Sequence, residues 1–234
     1  MTNLKGKTAL ITGGSKGIGL AIAQFMLDEG MNVCITSRTQ EDLDKVSEII
    51  ANPALLTVVC DVRSMEDQQK CVNETISTFG SIDVLSANAG VGHFANITDL
   101  TVDQWNDVID INLTGVFYSV KASLAALIES KGYIITISSL AGTNFFEKGT
   151  AYNASKFGLV GFSQALMLDV RKQGVKVSTI MPGSVATHFN GHTPNPSDDW
   201  KIQPADIGQM VIDLLKMNPR TLPSKIEVRP SMPG

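Results

Sequence analysis

The chain has 234 residues, 43% of them hydrophobic, with a net charge of −4, so it is long enough to bury a large core as a single domain. Its mild acidity and lack of any basic block exclude the electrostatic footprint of a nucleic-acid binder. The N-terminal apolar segment is too short for a signal peptide and no later run approaches membrane-spanning length, so the expectation is a cytoplasmic protein with no membrane partner.

In chain order, a short apolar run KTALIT leads into the glycine-rich turn TGGSKGIG, then an amphipathic stretch over 17–29. NVCIT is followed by a helical pattern over 40–50, and ALLTVV by one over 64–79. IDVLS precedes a long pattern over 101–128, and YIITIS precedes one over 151–172. VKVSTIM gives way to a polar segment, 187–203, expected to form an open, mobile lid. A last helix over 205–217 and the run KIEVRP close the chain. Ser64 with Asp67, and Thr101 with Gln104, have capping-box spacing, and Pro204 suits a first helical turn. The central runs are continuously apolar, as in strands buried on both faces. Strict alternation of strand and helix predicts a single-domain α/β fold of Rossmann-like, doubly wound architecture: a mostly parallel seven-stranded sheet with helices on both faces.

In such a sheet, ligands bind at the carboxyl ends of the strands, and the first strand-to-helix turn offers bare backbone N–H groups to a phosphate. The turn here, Gly13-x-x-x-Gly17-x-Gly19, is spaced differently from the common dinucleotide fingerprint. Further elements follow in order: Ala87-Asn88-Ala89-Gly90 after the fourth strand, Asn112 within DINLTG, Ser139 at the end of the fifth strand, Tyr152-x-x-x-Lys156, and Pro182-Gly183-x-Val185-x-Thr187. Together, across nearly the whole chain, they resemble the short-chain dehydrogenase/reductase family. The resemblance implies a nicotinamide dinucleotide held by Gly13, Ser15, Lys16, Gly17, Ile18 and Gly19 of the turn. It extends that site to Asp61 and Val62 after the third strand, Asn88, Ala89 and Gly90, and Pro182, Gly183, Val185 and Thr187, with Tyr152 and Lys156 also touching the cofactor. It further implies a catalytic set of Asn112, Ser139, Tyr152 and Lys156, with Asn112 in a proton relay reaching Lys156, and a homotetramer or homodimer joined through long helices.

Tyr152 and Lys156 lie four apart on one predicted helix and share a face. A free tyrosine is a poor acid or base at neutral pH, but a neighbouring ammonium favours the phenolate, so Tyr152 is expected to have a lowered pKa. It would pass a proton to a carbonyl oxygen held by Ser139 while the nicotinamide delivers hydride. At the end of the second strand Ser37 and Arg38 stand where NAD sites place a carboxylate, which favours NADP. Lys16 at a helix start supports the same choice, since an anion would offset it. Substrate walls are less legible: His93, Phe94, Asn144, Phe145, Phe146, Phe189 and Trp200 suit a modest apolar ketone or aldehyde, and the aromatics suit core or subunit contacts equally well. His93, His188 and His192 have no partners at ligand spacing, so no metal is expected. Cys34, Cys60 and Cys71 read as buried reduced thiols. The leading expectation is an NADPH-dependent carbonyl reductase or alcohol dehydrogenase acting on a small molecule. The alternatives are reduction of a 3-oxoacyl group on an acyl carrier protein, and a non-enzymatic NADP(H) sensor or scaffold.

Overall fold

The computed structural model describes residues 3–232. Seven strands, β1 (Thr8–Ile11), β2 (Asn32–Ser37), β3 (Leu55–Val59), β4 (Val84–Ala87), β5 (Tyr133–Ile137), β6 (Lys176–Pro182) and β7 (Lys225–Val228), make one sheet in the order β3-β2-β1-β4-β5-β6-β7. Every neighbouring pair is parallel. Parallel neighbours need crossover connections, and seven helices supply them: α1 (Gly17–Asp28), α2 (Gln40–Ile50), α3 (Met65–Phe79), α4 (Val102–Ile109), α5 (Gly115–Ser130), α6 (Thr150–Val170) and α7 (Pro204–Lys216). The winding reverses between the adjacent strands β1 and β4, which opens a crevice at their carboxyl ends.

Side-chain alternation explains why the strands read as unbroken apolar runs. Ala9, Ile11, Val33, Ile35, Ile135 and Ile137 point to a core shared with Ile22 and Met26 of α1 and Ile207, Val211 and Leu215 of α7. Leu10, Cys34, Leu85, Ile134 and Val177 point the other way, onto Val72 of α3, Val116 and Val120 of α5 and Leu159 of α6. Both faces are covered, and of the polar side chains that the strands do carry, Thr136, Ser178 and Thr179 are buried in hydrogen bonds to Ser163, Tyr133 and Thr136. Cys34, Cys60 and Cys71 are buried and unpaired, with the Cys34 and Cys71 sulfurs 4.0 Å apart.

The expected helix over 101–128 is interrupted. A π-helical turn, Asp110–Thr114, separates α4 from α5 and carries Asn112. The combined path Val102–Ser130 is also long and apolar enough to cross a membrane by composition, which the sequence reading did not recognise. Half of its most apolar window is buried inside the fold, so its apolarity serves the core. The caps differ too. Thr101 and Gln104 form the complete box, at 3.2 and 3.0 Å. Ser64 accepts from the Asp67 N–H at 3.1 Å, but the Asp67 carboxylate turns away to accept from the Asp61 N–H at 2.9 Å. Pro204 opens α7 as expected.

Candidate functional site

The glycine turn leaves β1 at Thr12, whose hydroxyl accepts from the N–H groups of Asn88 and Ala89 at 3.1 and 3.2 Å. The Asn88 amide returns two bonds, to the carbonyls of Thr12 and Gly13, at 3.0 and 2.9 Å. The turn is thereby pinned to the end of β4. Gly13 and Gly17 have φ of 65° and 58°, and a Cβ on Gly13 would stand 2.9 Å from the Ala89 Cα, so only glycine fits. Lys16 is the N-cap of α1, with no side-chain cap and no acid in the first turn. The leading N–H groups of α1 therefore have no side-chain acceptor, a fit for the pyrophosphate of a dinucleotide.

A cleft of about 1340 Å³ is lined by this turn and by the 187–203 segment, more than the roughly 300–1,000 Å³ usual for one small ligand. Its walls include Gly13, Ser15, Lys16, Gly17, Ile18, Ser37, Arg38, Val62, Asn88, Ala89, Gly90, Pro182, Gly183, Val185 and Thr187. Ser15 and Ser37 hydroxyls meet at 3.2 Å, and neither Lys16 nor Arg38 has an ion-pair partner among the described residues. Two expected cofactor residues are not on the walls. Gly19 packs inward, where a Cβ would run into the Gly13 carbonyl and the Asn88 amide. Asp61 is held by Arg63, with Nε to Oδ1 at 3.0 Å and Nη2 to Oδ2 at 2.6 Å, which keeps its carboxyl below the usual range.

Ser139, Tyr152 and Lys156 meet in the same cleft. Ser139 follows β5, and Tyr152 and Lys156 are presented by the first two turns of α6. The Lys156 ammonium lies 5.6 Å from the Tyr152 ring centre and donates to the Ile137 carbonyl at 3.1 Å. Burial pushes the Tyr152 phenol up to about 12, against the opposing influence of the Ser139 side chain, and pulls Lys156 down to about 8. The expected lowering of the Tyr152 pKa is thus reversed, because both charged forms lose solvation and the ammonium is turned toward a backbone carbonyl. Asn112 is fully buried off the cleft wall. Its Oδ1 accepts from the Val91 N–H at 2.8 Å, and its Nδ2 donates to the Val91 carbonyl at 2.9 Å and to Ser155 Oγ at 3.1 Å. It makes no direct bond to Lys156, so in this arrangement it clamps the loop after β4.

The aromatic candidates divide. Phe94, Phe146 and Phe189 gather around Tyr152. Phe145 lines the outer cleft but is 81% exposed and stacks flat on Phe157 of α6, at 4.9 Å and 2°. His93 lines the cleft and is tied to Asp107 at 3.0 Å, and Trp200 stands beside Lys201. The 187–203 segment is mostly exposed but tied together from within. Buried Asp198 binds His192 at 2.6 Å, Lys201 at 2.5 Å and the Asn195 N–H at 3.1 Å, while Ile202 pairs with Val185 beside the end of β6. Among the described residues no group of three or more His, Cys, Asp or Glu could hold a metal ion.

Sequence reasoning passed over three groups. Asn153, a variable position inside Tyr152-x-x-x-Lys156, donates to the Ala141 and Asn144 carbonyls at 2.7 and 2.8 Å and so fixes the loop that carries Ser139. Gly92 passes under the aromatic rings. Arg229 and Pro230, just beyond β7, reach the cleft wall, which only the parallel pairing of β7 with β6 could reveal.

A model of short chain dehydrogenases matches residues 7–197. The chain belongs to the short-chain dehydrogenase/reductase family. It is a nicotinamide-dependent oxidoreductase of that family. An uncharacterized oxidoreductase from Staphylococcus aureus strain MRSA252 is 35% identical over 231 residues, covering 98% of this chain and all of that protein. The alcohol dehydrogenase of Thermococcus sibiricus, solved with 5-hydroxy-NADP, superposes with a TM-score of 0.90 at 26% identity, over 96% of this chain and 97% of its own. A metagenomic short-chain oxidoreductase solved with NADP gives 0.85 at 32% identity, over 99% and 100%.

Proposed function

We propose that this short-chain dehydrogenase/reductase is an NADPH-dependent enzyme interconverting a small ketone or aldehyde and its alcohol, with Tyr152 as the proton donor and acceptor. The observation that carries the reading is the meeting of Ser139, Tyr152 and Lys156 in one cleft that the uncapped start of α1 also lines. When bound, the nicotinamide supplies or accepts the hydride. Ser139 holds the carbonyl oxygen, and Tyr152, protonated at neutral pH because its phenol sits near 12, gives its proton to that oxygen. Lys156 offsets the charge left on the phenolate and binds the ribose hydroxyls, and Asn112 and Asn153 position the loops on either side. Preference for NADP rests on Ser37, Arg38 and Lys16 on the cleft wall, a hydroxyl and two cations that have no ion-pair partner among the described residues and suit a 2′-phosphate. The T. sibiricus and metagenomic structures, solved with 5-hydroxy-NADP and NADP, support it. The three unpaired thiols suit a reducing, cytoplasmic setting, and an apolar outer face of α6 suits a homodimer or homotetramer.

The test is the oxidation of NADPH and of NADH by purified protein against ketones, aldehydes and acyl thioesters. Tyr152→Phe is expected to lower kcat by about 10²–10⁴ while leaving NADPH binding intact. Arg38→Ala is expected to cut the NADPH-over-NADH preference roughly tenfold to hundredfold, the worth of a charge-assisted hydrogen bond. Equal rates with both cofactors in the unaltered protein would overturn the cofactor assignment.

A further inference from the structure

Three phenylalanines from three separate segments converge on the Tyr152 ring. Phe94, after β4, meets it edge-on at 5.4 Å and 77°; Phe189, from the 187–203 segment, at 5.7 Å and 56°; and Phe146, after β5, at 6.4 Å and 57°. Phe94 also meets Phe146 at 5.6 Å and Phe189 at 6.3 Å, and no pair in the group is stacked parallel. The rings therefore cover one another's faces only in part. Phe94, Phe146 and Phe189 stay 38%, 46% and 37% exposed, all on the cleft wall. Large exposed aromatic surface inside a cleft marks a place that a ligand covers. The backbone is shaped to bring the rings together: a Cβ on Gly92 would stand 2.8 Å from Cζ of Phe189 and 2.9 Å from Cζ of Phe94.

Charge points the same way. Of the Asp, Lys and Arg side chains lining the cleft, apart from Lys16, Arg38 and Asp42 of the glycine turn and the residues after β2, Lys201 is bound to Asp198, Arg229 to Glu227, and Asp107 to Arg63, while Lys156 donates to the Ile137 carbonyl. A carboxylate on the substrate would lose its hydration with no uncommitted cation to receive it.

We propose that the site beside Tyr152 takes an uncharged aromatic carbonyl compound, an aryl ketone or aryl aldehyde, and that Phe94 and Phe189 select it. This rests on the carbonyl-reduction reading above. A planar guest adds edge-to-face or offset contacts with these two rings that a saturated ring of like size lacks, worth roughly twofold to tenfold in affinity for each pair.

The test measures kcat/KM with NADPH for acetophenone, cyclohexyl methyl ketone and phenylglyoxylate, which separate aromaticity and charge at similar size. Acetophenone is expected to exceed cyclohexyl methyl ketone about tenfold and phenylglyoxylate by more. In Phe94→Leu and Phe189→Leu, which keep apolar bulk, the aryl-over-cyclohexyl ratio is expected to fall toward unity. Turnover without an aryl preference, a preference for phenylglyoxylate, or a ratio untouched by both substitutions overturns the inference and leaves carbonyl reduction standing. A second measurement separates the two failures: calorimetric binding of the same three compounds to Tyr152→Phe protein saturated with NADPH. Aryl-selective binding without turnover in the unaltered enzyme would refute the reduction and retain the substrate class. Absence of both refutes both.

Discussion

Tyr152 and Lys156 are placed in one cleft by a four-residue spacing that any reading of the sequence can see, but their ionisation is set by burial, which spacing does not encode. Burial takes Lys156 from its ordinary value down to about 8. The folded chain then binds fewer protons than the unfolded chain between about pH 8 and the usual lysine value, so this group's contribution to stability rises with pH across that window. Below pH 8 the buried ammonium costs stability, up to about 3 kcal/mol for a shift of this size. Tyr152 acts in the opposite sense at higher pH. Its phenol, raised to about 12, favours the fold below the ordinary tyrosine value and loses that contribution as pH rises through 12. Lys156→Met should therefore unfold at a higher urea concentration than the unaltered protein at pH 7, with the gap narrowing by pH 9.5, while its carbonyl reduction is lost. Urea titrations at the two pH values check this; an equal gap at both would show that the ammonium is not the source. Reduction by the unaltered enzyme should likewise decline above about pH 8, as Lys156 loses the charge that offsets the phenolate. Gly19 and Asp61 lie off the cleft wall for a related reason: a motif gives the order of residues, whereas which of them face the cleft depends on the packing of Asn88 and the reach of Arg63.

Elements were legible where hydrophobic period and capping agree, as in α4 with its Thr101–Gln104 box. The π turn at Asp110–Thr114 was not, because one extra residue in a helical turn barely disturbs the apolar period. It turns Asn112 into the fold, onto Val91. The 187–203 segment is largely exposed, as its polarity suggests, but the sequence pattern does not show that much of that polarity converges on Asp198. The Lys201 and His192 contacts hold the Asp198 carboxyl far below the usual range. Its stabilising contribution is therefore present above the ordinary Asp value and lost only as pH falls through the lowered one. Asp198→Asn keeps the shape but removes the charge that the Lys201 ammonium and the His192 ring share. Amide hydrogen exchange over 189–201 should accelerate, with little change in the global Tm, since those residues lie outside the two cores and only Ile202 beyond them belongs to one. A lowered Tm with unchanged exchange would mean that Asp198 supports the whole fold rather than the lid.

At the scale of the whole molecule the doubly wound sheet was readable because alternation of strand and helix leaves few ways to connect parallel neighbours, and all seven strands stand where the apolar runs placed them. What strand order cannot show is which outer helix face is meant for another chain. On α6 the positions Ala154, Gly161, Ala165 and Leu168 are all exposed and fall on one stripe, at spacings of seven, four and three. None of them is polar, and a Cβ on Gly161 would touch nothing within 4 Å. Phe145 and Phe157 stack beside the stripe. Small residues flanked by rings let a second helix approach closely, so this face is the proposed seam between two copies of the chain. Sedimentation is expected to show an oligomer for the unaltered protein and monomers for Gly161→Glu, which would place two like charges near the middle of the seam. The folded monomer itself has room for the side chain, so the substituted protein should keep its cooperative unfolding. Retention of the oligomer with Glu at 161 would move the seam to another face, and α5, with Phe117 exposed beside Phe162, would be the next to substitute.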